Sequence, residues 1–385
     1  VLGYNTITIN GGSIVKITRL ETLFVKPRWV ILKVHTDEGI VGLGEPTLEG
    51  REQTVAAAIQ EIGRYLIGQD PLRIEHHWQA IYRGQFYRGG PILCSALSGI
   101  EQALWDITGK WLGQPVYRLL GGATRDWIRV YGWLHGDTAE EFAANARIRK
   151  AEGFQVLKMG VTGPVNIIDT PAWVDENVRN VAAVREAVGP QVQFGVDFHG
   201  RVSPAMAVRL AQALEPYQPM FIEEPVLPEN VDALVTVARS TSIPIATGER
   251  LFTKWGFREV LEKQAAAILQ PDLSHAGGIL EVKKIAAMAE CYYAGVAPHC
   301  PLGPVALAAC LQLDACIPNF LAQEHVSLGE GYLKTPFSMV NGAIPLPQGP
   351  GLGIELDEEA MADKIDDGTW DAPHWRYPDG SVANW

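Results

Sequence analysis

Seven polar residues each close a short apolar run: Lys158, Asp197, Glu223, Glu249, Asp272, His299 and Glu324. From Asp197 onward they follow one another at intervals of 26, 26, 23, 27 and 25 residues. Such an interval holds one strand, one helix and two loops, so consecutive units each deliver an acid or an imidazole to the same end of a repeated βα architecture. A single carboxylate at a strand end is as readily a helix N-cap; an ordered ladder of them is not. Asp197, Glu223 and Glu249 come from three adjacent units. Carboxylates that meet at one point repel and are tolerated where protons or a hard cation neutralise them. Oxygen donors without cysteine point to Mg²⁺, with Mn²⁺ as a substitute. Glu224 follows Glu223 directly, faces the other side of its strand, and is expected to be structural.

His299 and Asp272 end neighbouring units. A carboxylate there can bond one ring nitrogen, fix the tautomer and raise the basicity of the other nitrogen, which makes a base with its orienter. His199 stands two residues past Asp197, so a strand reaching that far turns both to one side and sets a second acid or base beside the metal. His35, His76, His77, His135, His325 and His374 are read as scaffold or surface. His275, in Ser274-His275-Ala276-Gly277-Gly278, fits either the cap of the next helix or the site.

The elements that carry these residues follow from periodicity. Apolar runs at Ile128 to Trp133, Gln155 to Met159, Val192 to Phe198, Met220 to Glu224, Ile243 to Thr247, Ala267 to Pro271, Gly295 to Pro298 and Phe320 to Gln323 alternate with helical spacing. Eight parallel strands with crossover helices close into a TIM-type (β/α) barrel, an α/β fold whose chemistry sits at the C-terminal face. An open doubly wound sheet is the alternative. It calls for a glycine-rich phosphate turn after an early strand, and neither G-x-G-x-x-G nor G-x-x-x-x-G-K-[ST] occurs. Ahead of the barrel, Ser13 to Leu23, Arg28 to Thr36 and Ile40 to Glu45 read as a three-stranded antiparallel meander turning at Asp37-Glu38-Gly39, followed by helices at Gln53 to Leu66 and Ile92 to Leu112. The expected organisation is an α+β module over residues 1–125, a barrel over 126–335, and a tail over 336–385 that returns to the first module.

The 385 residues carry 44 acids and 32 bases, a net charge of −12, which disfavours nucleic acid and anionic membrane surfaces as partners. A hydrophobic share of 47% and a charged share of 20% describe a globular chain rather than a disordered or membrane-spanning one. Five cysteines, never spaced C-x-x-C, suggest neither a disulfide framework nor a zinc knuckle, and a reducing cytoplasm is expected. Val1 to Ser13 lacks the basic and apolar regions of an export signal.

The stretches Asp197-Phe198-His199-Gly200-Arg201, Phe221-Ile222-Glu223-Glu224-Pro225, Thr247-Gly248-Glu249-Arg250, Gln270-Pro271-Asp272 and Ala297-Pro298-His299-Cys300-Pro301 resemble the enolase superfamily, mandelate racemase subgroup, and within it the galactonate dehydratases. The resemblance extends over nearly the whole chain, through Asp70-Pro71, Tyr87-Arg88-Gly89-Gly90-Pro91 and Ala103-Leu104-Trp105-Asp106. It implies a hydro-lyase that dehydrates an aldonate, D-galactonate foremost, to a 2-keto-3-deoxy acid. In that scheme Mg²⁺ on Asp197, Glu223 and Glu249 binds the substrate carboxylate and stabilises an enediolate, and His299 backed by Asp272 takes the C2 proton. His199 protonates the departing 3-hydroxyl, and Glu324 bonds the enediolate side. The resemblance further implies that the first module caps the barrel mouth, with Arg28, Trp29 and Tyr87 as substrate-binding candidates beside Lys158, and that the chain forms a symmetric homo-oligomer, octamers included. Two departures stand out. Leu157-Lys158-Met159-Gly160 lacks the second lysine of a racemase-type K-x-K and the asparagine common among galactonate dehydratases, and Leu43 in place of a commoner Trp, with a shortened segment after Glu324, predicts an altered pocket floor. An epimerase or cycloisomerase using the same enediolate, and a non-catalytic sugar-acid binding protein, are the competing readings.

Overall fold

The computed structural model describes residues 15–385; the reading of Val1 to Ser13 lies outside them. The first layer is an antiparallel meander in the order β1 (Ile17–Val25), β2 (Trp29–Thr36), β3 (Val41–Gly44). β2 lies in the middle and is buried along almost its whole length, which accounts for its apolar start, Trp29-Val30-Ile31-Leu32. Three helices pack on this sheet: α1 (Glu52–Leu66), α2 (Ile74–Arg83) and α3 (Gly90–Leu112). α2 has no counterpart in the periodicity, because only Ile74, His77 and Trp78 are buried along its ten residues and so short a stripe leaves no repeat to detect. α3 lies directly on β3 because two glycines admit it. A Cβ on Gly44 would stand 1.9 Å from the carbonyl oxygen of Gly99, and one on Gly42 would stand 2.2 Å from that of Ala103. Leu43, between them, is buried in the core and does not form the floor of the active-site cavity, contrary to expectation.

After α4 (Val116–Leu119), the run Ile128 to Trp133 divides in two. β4 (Trp127–Arg129) pairs with a late strand, and only β5 (Tyr131–Trp133) enters the barrel. The barrel then alternates α5 (Ala139–Ala151), β6 (Val156–Gly160), α6 (Pro171–Val188), β7 (Gln193–Asp197), α7 (Pro204–Leu214), β8 (Phe221–Glu223), α8 (Val231–Ala238), β9 (Ile245–Thr247), α9 (Thr253–Glu262), β10 (Ile268–Leu269), α10 (Ile279–Glu290), β11 (Gly295–Val296) and α11 (Pro304–Asp314). Seven strands form one parallel sheet in the order β11-β10-β9-β8-β7-β6-β5. The eighth position, Phe320 to Gln323, makes isolated bridges rather than a continuous ladder, yet it closes the ring. Phe320 bridges Val296 and Gln323 bridges Val130, and the N–H groups of Leu321 and Gln323 donate to the carbonyls of Val296 and Arg129 at 2.8 and 2.9 Å. The late strand paired with β4 is β12 (Ala343–Pro345).

The helix starts show how the two parts are joined. α5, α6, α7 and α8 are capped by their own Thr138, Thr170, Ser203 and Asn230. α10 and α11 begin instead after Gly278 and Gly303, which bring no side chain. Carboxylates from the first module supply the caps: Glu101 accepts from Ile279 and Leu280 N–H at 2.7 and 2.9 Å, and Glu45 accepts from Gly303 and Ala306 N–H at 2.6 and 2.9 Å. The chain beyond β12 runs back along β1, with Lys26 N–H donating to Lys364 and Asp366 N–H to Phe24. No helix among the described residues is long and apolar enough to cross a membrane.

Candidate active site

A cavity of about 740 Å³ opens at the carboxyl ends of the barrel strands, over Lys158, Asp197, Glu249, His299 and Glu324. Parallel pairing puts these residues at one level: Asp197 is the register partner of Glu223, and Asp272 bridges His299. At the base lies Lys158, 1% exposed, its ammonium on Glu223, 3.3 Å from Asp197 and 3.3 Å from Glu324, and 4.6 Å from the centre of the Trp133 ring. Burial opposes its charge, but Glu223 and Glu324 outweigh burial and hold its pKa well above the lysine range. Lys158 is therefore enclosed by carboxylates at the floor of the cavity, which it lines.

The three carboxylates expected to hold a metal do not converge in this arrangement. Among the described residues no three metal-ligating side chains come close enough to hold an ion. Glu223 is spent on Lys158 and, through Oε2, on the Gln270 amide at 2.6 Å; Glu249 leans instead to within 3.6 Å of His299 Nε2. The donor chemistry nevertheless fits a hard cation. Asp197, Glu223, Glu249 and Glu324 are four buried carboxyls facing one ammonium and one imidazole. Burial, with repulsion from Asp197, pushes Glu223 well above its ordinary range, and burial lifts Glu249 to about 7. Negative charge is in surplus, and oxygen donors are what Mg²⁺ takes.

His299 Nδ1 lies 2.8 Å from Asp272 Oδ2, and Asp272 is itself held by the Ser274 N–H at 2.7 Å. With Nδ1 donating to Asp272, Nε2 is the nitrogen left for a proton on substrate. Burial lowers the basicity of this imidazole, and Glu249, Glu324 and Asp272 more than restore it, so its pKa stands well above the histidine range. His199 also lines the cavity, but not by strand alternation: β7 ends at Asp197, and His199 turns in through a left-handed φ of 53° while its N–H donates to Asp197 at 2.7 Å. β7 and β11 stand four places apart in an eight-place ring, so the two imidazoles approach the mouth from opposite sides. Glu324 accepts from Trp133 Nε1 at 2.8 Å and Cys300 N–H at 2.9 Å; burial raises its pKa, but Lys158 and His299 bring it below the ordinary value, so it accepts here rather than donates. Glu224 points away, in an ion pair with Arg250 at 2.5 Å.

The rim departs further from expectation. Arg28 does line the cavity, paired with Glu49 at 2.5 Å. Trp29 is buried against Tyr332, and Tyr87, 85% exposed, borders a separate groove in the first module. Distance along the chain hid other residues that line the cavity. His275 lies with Nδ1 2.9 Å from Ser95 Oγ, and Trp385 packs on His199. The Ser-His-Ala-Gly-Gly stretch was the one available signal for His275, and nothing local marks Trp385.

Residues 18–121 match the family described as mandelate racemase / muconate lactonizing enzyme, N-terminal domain, and residues 141–360 match the enolase C-terminal domain-like family. D-galactonate dehydratases from Cronobacter sakazakii and Ralstonia nicotianae are each 51% identical over 381 residues, covering 96% of this chain and 100% of theirs. Among solved structures, a putative dehydratase from Mesorhizobium loti superposes with a TM-score of 0.86 at 36% identity, covering 91% of this chain and 99% of its own. A mandelate racemase/muconate lactonizing enzyme from Jannaschia sp. superposes with a TM-score of 0.87 at 37% identity, covering 91% and 98%.

Proposed function

This chain belongs to the mandelate racemase / muconate lactonizing enzyme family of the enolase superfamily, and we propose that its site dehydrates D-galactonate to the 2-keto-3-deoxy acid with Mg²⁺ held by Asp197, Glu223 and Glu249. It is a hydro-lyase acting on a sugar acid. The observation that carries the mechanism is the His299–Asp272 contact opening on a cavity that His199 enters from the far side.

His299 Nε2 takes the proton from C2 once Glu249, whose carboxyl at 3.6 Å helps hold the ring protonated as placed, is drawn to the cation, and the resulting imidazolium keeps its Nδ1–H on Asp272. The C2–H electron pair moves into the C1–C2 bond, giving an enediolate; as this collapses the carboxylate re-forms, the C2–C3 double bond is made and the C3–O bond breaks. His199 gives its proton to the leaving hydroxyl, water departs, and the enol becomes the ketone. A divalent cation at the carboxylates supplies positive charge where negative charge develops on the substrate's carboxyl group. Freeing Glu223 for that role requires Lys158 to shift within its cage. Glu324, an acceptor as placed, bonds the enediolate side once it has taken a proton. Arg28 at the rim meets the polyol chain.

Purified protein with Mg²⁺ is incubated with a panel of aldonates and aldarates, and α-keto acid is trapped with a carbonyl reagent. Release from D-galactonate supports the proposal; release from another aldonate alone corrects the substrate; none from any member overturns it. Two imidazoles on opposite sides of the mouth also suit proton exchange at a single carbon. Recovery of a C2 epimer without keto acid would favour that second reading.

A further inference from the structure

We propose that Trp385 is a positioning residue for His199, and so governs departure of the hydroxyl but not removal of the C2 proton; this rests on the dehydratase reading above. A proton donor must be aimed, and His199 has little to aim it. Its Nδ1 is buried with no hydrogen-bond partner among the described residues, and its backbone leaves the strand in a left-handed turn. By contrast, His299 is oriented by a carboxylate at 2.8 Å. What does touch the His199 ring is the indole of Trp385, edge to face at 6.0 Å between centroids and 65° between planes.

Trp385 also lines the catalytic cavity, so one indole both restrains the ring and walls the space beside it. The chain leading to it is pinned at both sides of the mouth. On the first module, Gln53 donates to the Asp367 carbonyl at 3.0 Å, and the Arg28 guanidinium lies 5.0 Å from the Trp370 ring centre. On the barrel, Arg201 lies 4.2 Å from the Trp375 ring centre, and Tyr377 donates to the Val165 carbonyl at 2.9 Å. Trp370 then packs 5.9 Å from Trp385 and backs it. This segment spans the mouth and presents one aromatic edge to one of the two imidazoles.

The test separates the two proton transfers. With D-galactonate in D₂O, Trp385→Ala and Trp385→Phe are compared with the unaltered protein for keto-acid release and for exchange of the C2 hydrogen. The expected result for Trp385→Ala is keto-acid formation slowed roughly tenfold to a hundredfold, the scale of a misaimed proton donor, with C2 exchange within about twofold of normal and partial rescue in Trp385→Phe. Equal loss of both rates, or loss of neither, overturns the proposal. No turnover and no exchange in the unaltered protein sinks the dehydratase reading instead. The contact itself is then still tested, without substrate, in ¹³C-histidine-labelled protein: the His199 ring signals, assigned with His199→Asn, must move in Trp385→Ala, and unmoved signals refute it.

Discussion

Glu45 accepts the backbone N–H of Gly303 at 2.6 Å, across 258 positions of sequence. With Glu101 on Ile279, it fastens the first module to the helices that follow Asp272 and His299, so the layer over the mouth and the catalytic strand ends are set by the same bonds.

Both of these carboxyls are raised above the ordinary 4.5, Glu45 to about 7 and Glu101 to about 8, chiefly by burial. The native state therefore holds protons that the unfolded chain has released between about pH 4.5 and about 8. Stability contributed by the protonated forms is present at the acid end and declines as pH rises through that window. Urea unfolding across this range should show a fall on the order of 3 to 5 kcal/mol per group, and Glu45→Gln with Glu101→Gln should flatten it. A rise in stability over the window would contradict this account.

Gly44→Ala should cost about 3 kcal/mol, because the new methyl meets the Gly99 carbonyl at 1.9 Å and neither backbone can retreat. Gly39→Ala, with open space around it but a φ of 75°, should cost only about 1 kcal/mol. Thermal denaturation of the two variants checks the difference; equal costs would mean that α3 is not seated on β3 as described.

His299→Asn should abolish both keto-acid release and C2 exchange with deuterium, since it removes the imidazole that Asp272 orients. Asp272→Asn, which turns an acceptor into an ambiguous partner for Nδ1, should slow both by about 10² to 10⁴. Retained exchange in His299→Asn would remove His299 as the base.

Lys158→Met should destabilise the fold by about 3 to 5 kcal/mol, because it leaves Asp197, Glu223 and Glu324 buried without their cation. If the same carboxylates hold Mg²⁺, added Mg²⁺ should recover part of the loss. A chelator should stop keto-acid formation by the unaltered protein, and Mg²⁺ or Mn²⁺ should restore it. A calorimetric melt with and without the ion checks the first point, and the trapped keto acid checks the second.

The barrel, the strand ends and the pairing of His299 with Asp272 were legible in the sequence. These depend on local matters: alternation within a strand, one βα unit per interval, and parallel register that puts neighbouring ends at one level. The sequence also separated Glu223 from Glu224, though by alternation along a strand, whereas β8 ends at Glu223 and Glu224 leaves it through a left-handed φ of 40° to meet Arg250. Packing in three dimensions set Lys158 within the carboxylates, leaned Glu249 on His299, made Glu45 and Glu101 cap helices in the other part of the molecule, and brought Trp385 to His199. Those contacts join residues far apart in the chain through rotamers and long-range packing, and no periodicity records which side chain will fill a space that distant segments enclose.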